Sequence, residues 1–387
     1  MPESIYDIVV IGAGIQGAGV AQAAAACGYK TLVIEKFPQA GLGTSCKSSK
    51  LIHGGLRYLE SGQFKLVYEC LRERKRLLRN APGLVKLIPF YIPVYSNSIR
   101  PAWLIWLGLS IYSLFSLKKF SIVNKKEWKS LDGLELKNLK CIYKYFDAQT
   151  DDKKLTQAVI DSAEKLGADI LYSTNFSKSY IQKNKHIVTY TKNKKEHTTT
   201  CLCIVNCTGP WVISTQEKIK PLLKTPNIDL IAGTHIIVDN PVNKGVYYIE
   251  AVDRRAVFVM PWKEQQTLIG TTERPHSGNA DNIMPTESER LYLLETYNRH
   301  FNTKLTIDNI IDSFAGLRIL PGNNKSAFNK SRESLIINNA RSPGLVTLIG
   351  GKLTSYRASA EEVLIKIKKI IGPPKNYKSC DTRNTKL

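Results

Sequence analysis

The clearest hydrophobic pattern in the chain runs from Tyr6 to Glu35. Ile8 to Ile11 form an unbroken apolar run, as a strand covered on both faces should. Ile15 to Cys27 is Ala-rich and free of Pro and charge, which predicts a buried helix. Thr31 to Ile34 is a second apolar strand, closed by Glu35. Phe64 to Asn80 carries Leu66, Val67, Cys70, Leu71, Leu77 and Leu78 at helical spacing. Its basic residues (Lys65, Arg72, Arg74, Lys75, Arg76 and Arg79) are expected on a mostly solvated face. Asp151 to Leu166 reads as a helix with Leu155, Val159, Ala163 and Leu166 on one side. From Asp169 to Asn206 the pattern alternates as strands do, with Lys192–Glu196 as an exposed hairpin turn. Leu230–Val238, Asp253–Trp262 and Thr267–Glu273 are strand-like. Thr286–Phe301 is a helix, with Leu291, Leu294 and Tyr297 expected to face inwards. From Val346 onward come a strand, a Gly-Gly turn and a helix with Ala360, Val363, Leu364, Ile367 and Ile371 at helical spacing.

Gly12, Gly14 and Gly17 lie between the first strand and its helix as G-x-G-x-x-G. The first Gly allows the tight turn, the second lets backbone approach a pyrophosphate, and the third lets helix pack close on strand. The helix N-terminus, with its unpaired N–H groups, favours an anion. Glu35 follows Gly17 by 18 residues and is placed to accept hydrogen bonds from a ribose. Strand, glycines, helix and acid together specify a dinucleotide-binding βαβ unit. They do not separate FAD from NAD.

Length and charge widen the picture. The 387 residues suffice for two domains and a large core, and 43% hydrophobic with 23% charged residues is an ordinary globular composition. Lys and Arg number 55 against 33 Asp and Glu, a net charge of +22. Such an excess fits an acidic partner or a generally Lys-rich surface. No nucleic-acid motif accompanies it, so nucleic acid is not expected. The eight Cys form no disulfide-like framework. Cys201, Cys203 and Cys207 fall in a strand pattern without zinc spacing and read as small buried hydrophobes, so no metal site is expected. The chain suits a reducing compartment, and the early start of the first strand leaves no signal peptide expected.

Pro101 to Leu117 contains no charged residue and includes Trp103, Trp106, Tyr112 and Phe115. It is short for a membrane span, and Ser110, Ser113 and Ser116 weaken that reading. A buried helix, a subunit contact and a helix lying in the membrane interface all fit. Flanking lysines such as Lys118, Lys119, Lys125 and Lys126 favour the last.

Gly41 to Glu60 is dense in groups that suit a phosphate-bearing cofactor: Thr44, Ser45, Ser48, Ser49, Lys50, then His53, Gly54, Gly55, Arg57 and Tyr58. The stretch SSKLIHGGLRYLESGQFKLVYECLRER resembles the signature region of the FAD-dependent glycerol-3-phosphate dehydrogenases, within the D-amino-acid-oxidase-like flavoproteins. RPAW, IVNCTGPWV, LIAGTHIIV, DRRAVFVMPW, TLIGTTE, SFAGLRILPG and VTLIGGKLTSYR are similar to further segments of that family. The likeness spans roughly residues 6–371, with gaps near 120–150 and 175–200. Family members continue with a C-terminal helical domain. This chain instead ends in GPPKNYKSCDTRNTKL, read as a tail, which bears on quaternary structure and the electron acceptor.

The resemblance implies an α/β fold. A Rossmann-like FAD-binding domain would be built from residues 1–85, 151–215 and 305–372. A mixed or antiparallel-sheet substrate domain would come from 86–150 and 216–304. It implies FAD held by Gly12, Gly14, Ile15, Gly17, Glu35, Lys36, Thr44, Ser45, Ser48, Ser49, Lys50, Leu51, His53, Thr208, Gly209, Trp211, Gly351, Lys352, Leu353 and Thr354. It implies glycerol 3-phosphate as substrate, with Arg57, Tyr58, Arg318, Arg332 and Lys352 around the phosphate. His235 or His53 would be the base, His235 being favoured by its place in a matched strand. Electrons would pass to a membrane quinone, with the protein cytoplasmic and peripheral on the inner face of the cytoplasmic membrane. Oxygen as acceptor and a homodimer stay open. Two other classes remain: a sibling oxidase or dehydrogenase of an amino or hydroxy acid, whose pocket needs a carboxylate clamp, and a truncated, non-catalytic flavoprotein.

Overall fold

The structure, a computed structural model, describes residues 5–322, 334–378 and 381–387. Ile5–Ile11 is the central strand of the first sheet. It pairs in parallel with Thr31–Ile34 on one side and Lys195–Asn206 on the other. The parallel array extends to Asp169–Leu171 at one edge and Ser342–Ile349 towards the other, where Leu335–Asn339 adds an antiparallel strand. The helix Ile15–Cys27 (α1) packs between Asp152–Lys165 (α4) and Tyr356–Ile371 (α7). Their Ala and Val faces allow this: Ala18, Ala21, Ala24, Val159, Ala163, Ala360 and Val363 are all buried in one cluster. The hairpin turn falls where the pattern places it, at Asn193 and Lys194 between two paired strands, both with positive φ.

The second sheet is mostly antiparallel. Its order is Arg274–His276, Ile228–Val238, Gln266–Gly270, Ala256–Trp262, Val246–Glu250, Val85–Tyr95, Leu139–Thr150, Leu51–Ile52. Val246–Glu250 and Val85–Tyr95 run parallel, so the sheet is mixed. Ile310–Pro321 also belongs here, antiparallel to Ile228–Val238 along its whole length. The resemblance implies that residues 305–372 belong to the FAD-binding domain; the backbone of this strand pairs within the second sheet. Periodicity identifies a strand without naming its partner. The helix Glu287–His300 (α6) covers this sheet, opened by a capping box of Thr286 and Glu289. Leu293, Leu294 and Tyr297 face inwards, whereas Leu291 lies off that stripe and is exposed.

Phe64–Asn80 (α2) buries its expected apolar stripe. Two of its charges are buried as well. Arg74 pairs with Asp147, and Glu73 accepts from Nε and Nη2 of Arg357 at 2.6 and 2.7 Å. The helix Ala102–Ser116 (α3) is not a buried helix. Only Leu109 and Tyr112 are buried, and Trp103, Trp106, Leu107 and Leu114 face solvent. Among the described residues no helix is long and apolar enough to cross a membrane. The final residues are docked rather than loose: Leu387 N–H donates to Asn80 O, and Arg357 donates to Thr382 Oγ1. Cys27 is disulfide-bonded, although the spacing of the eight Cys shows no disulfide-like framework.

Candidate active site

The carboxyl ends of the parallel strands converge on a cavity of about 720 Å³, roofed by the second sheet. Gly12 follows the central strand, Glu35 its neighbour, Cys207 and Thr208 the next, and Gly350 the last. This is where an open parallel sheet receives its ligand. Gly12 turns at φ +95°, and a Cβ on it would lie 2.9 Å from Cys207 O. A Cβ on Gly17 would lie 1.9 Å from Gly12 O, so only Gly lets α1 seat this closely. α1 has no N-cap of its own; Ile15 N–H donates to Ser45 Oγ at 2.9 Å. Glu35 is buried and accepts from Ala13 N–H (2.5 Å) and Phe37 N–H (2.9 Å), while burial pushes its pKa up. Lys36 pairs with Asp281 at 2.7 Å and lies 3.6 Å over the Trp211 ring, closing one end. Among the described residues the buried Nε1 of Trp211 has no hydrogen-bond partner. The glycine cradle, the helix N-terminus beside it and the orphaned donor all fit a dinucleotide.

Ile15, Thr44, Ser48, Ser49, Leu51, His53, Gly209, Gly351, Lys352, Leu353 and Thr354 line the same cavity. Thr44 is tied to Leu317 O, and Thr354 Oγ1 accepts from His53 N–H. Lys50 behaves differently. Its ammonium turns away from the cavity to Asp152 (2.6 Å) and Cys46 O (2.5 Å), and Ser48 donates to the same carboxylate. Both ends of this pair are buried. Asp152→Ala would strand the ammonium, so we expect a loss of about 3–5 kcal/mol in urea unfolding.

On the other side, His235 projects from Ile228–Val238 and stacks on Phe314 with ring centroids 5.0 Å apart. Its Nε2 lies 2.9 Å from Ser49 Oγ, and its buried Nδ1 has no partner among the described residues. Gly270 makes space for the ring: a Cβ there would lie 2.1 Å from His235 Cδ2. Burial, with Lys50 and Arg318 adding like charge, lowers the His235 pKa from 6.5 to about 3. The unfolded chain therefore binds a proton that the native chain refuses between those pH values. The stability from keeping His235 neutral is complete above about pH 6.5 and is lost as pH falls towards 3. We expect an acid slope of about 1.4 kcal/mol per pH unit from this group, flattened in His235→Gln when urea midpoints are followed from pH 7 to 5.

Arg57, Tyr58, Arg318 and Lys352 meet beside His235 and His53. Arg318 donates to Glu273 Oε1 at 3.0 Å and to Thr272 O at 2.9 Å; Arg57 lies 4.0 Å from the same Glu273 oxygen. Lys352 Nζ sits 3.9 Å over the Tyr58 ring. Arg255, held by Asp253, also reaches the cavity and donates to Glu273 O. Glu273 and Arg255 do not stand out in the sequence, although both lie in strand-like segments that resemble the family. Arg332 lies outside the described residues.

Residues 7–357 match the DAO family, described as FAD dependent oxidoreductase. The chain is 35% identical over 369 residues to aerobic glycerol-3-phosphate dehydrogenase of Escherichia coli strain K12, covering 93% of this chain and 73% of that one. It is 35% identical over 372 residues to D-erythritol 1-phosphate dehydrogenase of Brucella abortus, covering 94% and 74%. The structure is similar to that of glycerol-3-phosphate dehydrogenase from Bacillus halodurans complexed with FAD, with a TM-score of 0.79 and 27% identity over 99% of this chain and 68% of that one.

Proposed function

Since this chain belongs to the DAO family of FAD dependent oxidoreductases and FAD is its cofactor, we propose that it oxidises the C2 hydroxyl of glycerol 3-phosphate to give dihydroxyacetone phosphate. The observation that carries this reading is the convergence of Arg57 and Arg318 on one side of the cavity, with Lys352 and Tyr58 beside them. Guanidinium forks suit a phosphate dianion. Glu273 keeps both forks in place until a phosphate engages them. Bound along the glycine turn and Glu35, FAD would supply the hydride acceptor for C2. The clamp fixes C2 relative to the flavin, and a neutral imidazole takes the hydroxyl proton. Position in the sequence favours His235 for that step. Burial lowers the His235 pKa and makes it a weaker acceptor, and His53, which lines the same cavity, is the second candidate for that step.

Two arginines and a lysine favour phosphate over the single carboxylate clamp of an amino-acid or hydroxy-acid enzyme. The Brucella relative motivates a second reading within the same chemistry, a four-carbon polyol phosphate. Turnover with a dye acceptor separates them. Glycerol 3-phosphate should be oxidised, glycerol should not, and a strong preference for erythritol 1-phosphate would replace the first substrate by the second.

Electrons pass to a membrane quinone in this proposal, with the protein peripheral on the inner face of the cytoplasmic membrane. The exposed Trp103, Trp106, Leu107 and Leu114 face of α3, next to Lys118 and Lys119, supports that location. Trp103→Ser with Trp106→Ser should cut sedimentation with anionic vesicles about tenfold while leaving dye turnover unchanged. Unchanged sedimentation would remove α3 from the attachment.

A further inference from the structure

We infer that Tyr112 is a positioning residue: through its hydroxyl, α3 fixes the backbone of the His53–Tyr58 loop. That loop supplies His53, Gly55, Leu56, Arg57 and Tyr58 to the cavity, so what the loop positions rests on the proposed function. Two of its backbone N–H groups donate to side chains. His53 N–H donates to Thr354 Oγ1 at 3.3 Å, and Gly54 N–H donates to the Tyr112 hydroxyl at 2.8 Å. The second contact has no slack. A Cβ on Gly54 would lie 2.6 Å from that hydroxyl and 2.7 Å from Leu71.

The hydroxyl is itself fixed. It donates to Asp147 Oδ2 at 2.6 Å, and Asp147 Oδ1 accepts from Arg74, which also donates to Phe146 O. Tyr112, Asp147 and Arg74 are all buried. With its one proton given to a carboxylate, the tyrosine oxygen can only present a lone pair to Gly54, and the charge makes it a better acceptor. Burial and Asp147 both push the Tyr112 pKa up, so the proton stays.

Tyr112 is nevertheless on a helix that keeps only one other residue, Leu109, buried. The helix with the most exposed apolar face therefore grips the loop with the most substrate-side groups. A shift of α3 moves Gly54, and Gly54 lies between His53 and Arg57 in the chain. Small displacements of this kind alter reactivity strongly when they misplace a substrate.

The test uses the full FAD-loaded chain. In Tyr112→Phe, amide exchange across 53–56 should speed roughly tenfold, while Val85–Tyr95 and Leu139–Thr150 keep their protection. The KM for glycerol 3-phosphate should rise about tenfold at unchanged FAD content, with a smaller change in kcat. An unchanged loop, or a uniform rise in exchange over all elements with normal kinetics, would overturn the inference. Should Tyr112→Phe not fold, the unmodified chain decides. With rising urea, 53–56 and α3 should open in one step, and separate openings would overturn it. The exchange measurements need no substrate, so an enzyme that ignores glycerol 3-phosphate would sink the proposed function and leave this inference to be judged alone.

Discussion

Gly17→Ala should purify without flavin colour. The added Cβ would lie 1.9 Å from Gly12 O and 3.2 Å from Cys207 Cβ, and the first of these is backbone that cannot swing aside. Either α1 moves off the sheet or the Gly12 turn opens. Both displace the helix N-terminus at which a pyrophosphate would sit. Overpacking of this kind costs about 1–3 kcal/mol, but the larger effect is on the cofactor, because the turn and the helix end form its cradle. The ratio of visible to ultraviolet absorbance after purification reads it. Gly83→Ala is the control: its Cβ would meet nothing within 4 Å, and flavin content should be normal.

Arg318→Ala should keep its flavin and lose most of its activity. Its guanidinium spans Glu273 and Thr272 O on the substrate side, away from the glycine turn. Removal takes away one fork of the phosphate clamp and leaves Glu273 with Arg57 at 4.0 Å as a competing pair. We expect kcat/KM for glycerol 3-phosphate to fall about a thousandfold, on the order of 4 kcal/mol. Arg318→Lys should recover little, since an ammonium keeps the charge but not the planar fork. A loss below about fivefold would remove Arg318 from the clamp.

The cofactor half of this site is legible in the sequence because its determinants are local. Gly12, Gly14, Gly17 and Glu35 sit in one continuous βαβ unit, and their roles follow from spacing alone. The substrate half is only partly legible. Arg57 and Arg318 are 261 positions apart, and only the second sheet brings them together. Glu273, which joins them, gives no sign of that role in a strand-like stretch. Lys50 shows the converse. Beside serines and a histidine it reads as a phosphate ligand, but its partner is Asp152, and that pairing removes it from the cavity. Arg74 looks like surface charge on an amphipathic helix until Asp147, from another strand, buries it. The uniformly apolar run of α3 hid which face is covered, because periodicity cannot act where nearly every position is apolar.

The central claim is that this cavity oxidises a phosphorylated polyol through its flavin. Anaerobic addition of glycerol 3-phosphate to the FAD-loaded chain tests it most directly, followed at the oxidised flavin band near 450 nm, a wavelength general to flavins. The account predicts rapid bleaching, none with glycerol, and none on the same timescale in Arg318→Ala. A persistent oxidised band in the unmodified protein, with FAD plainly bound, would contradict it.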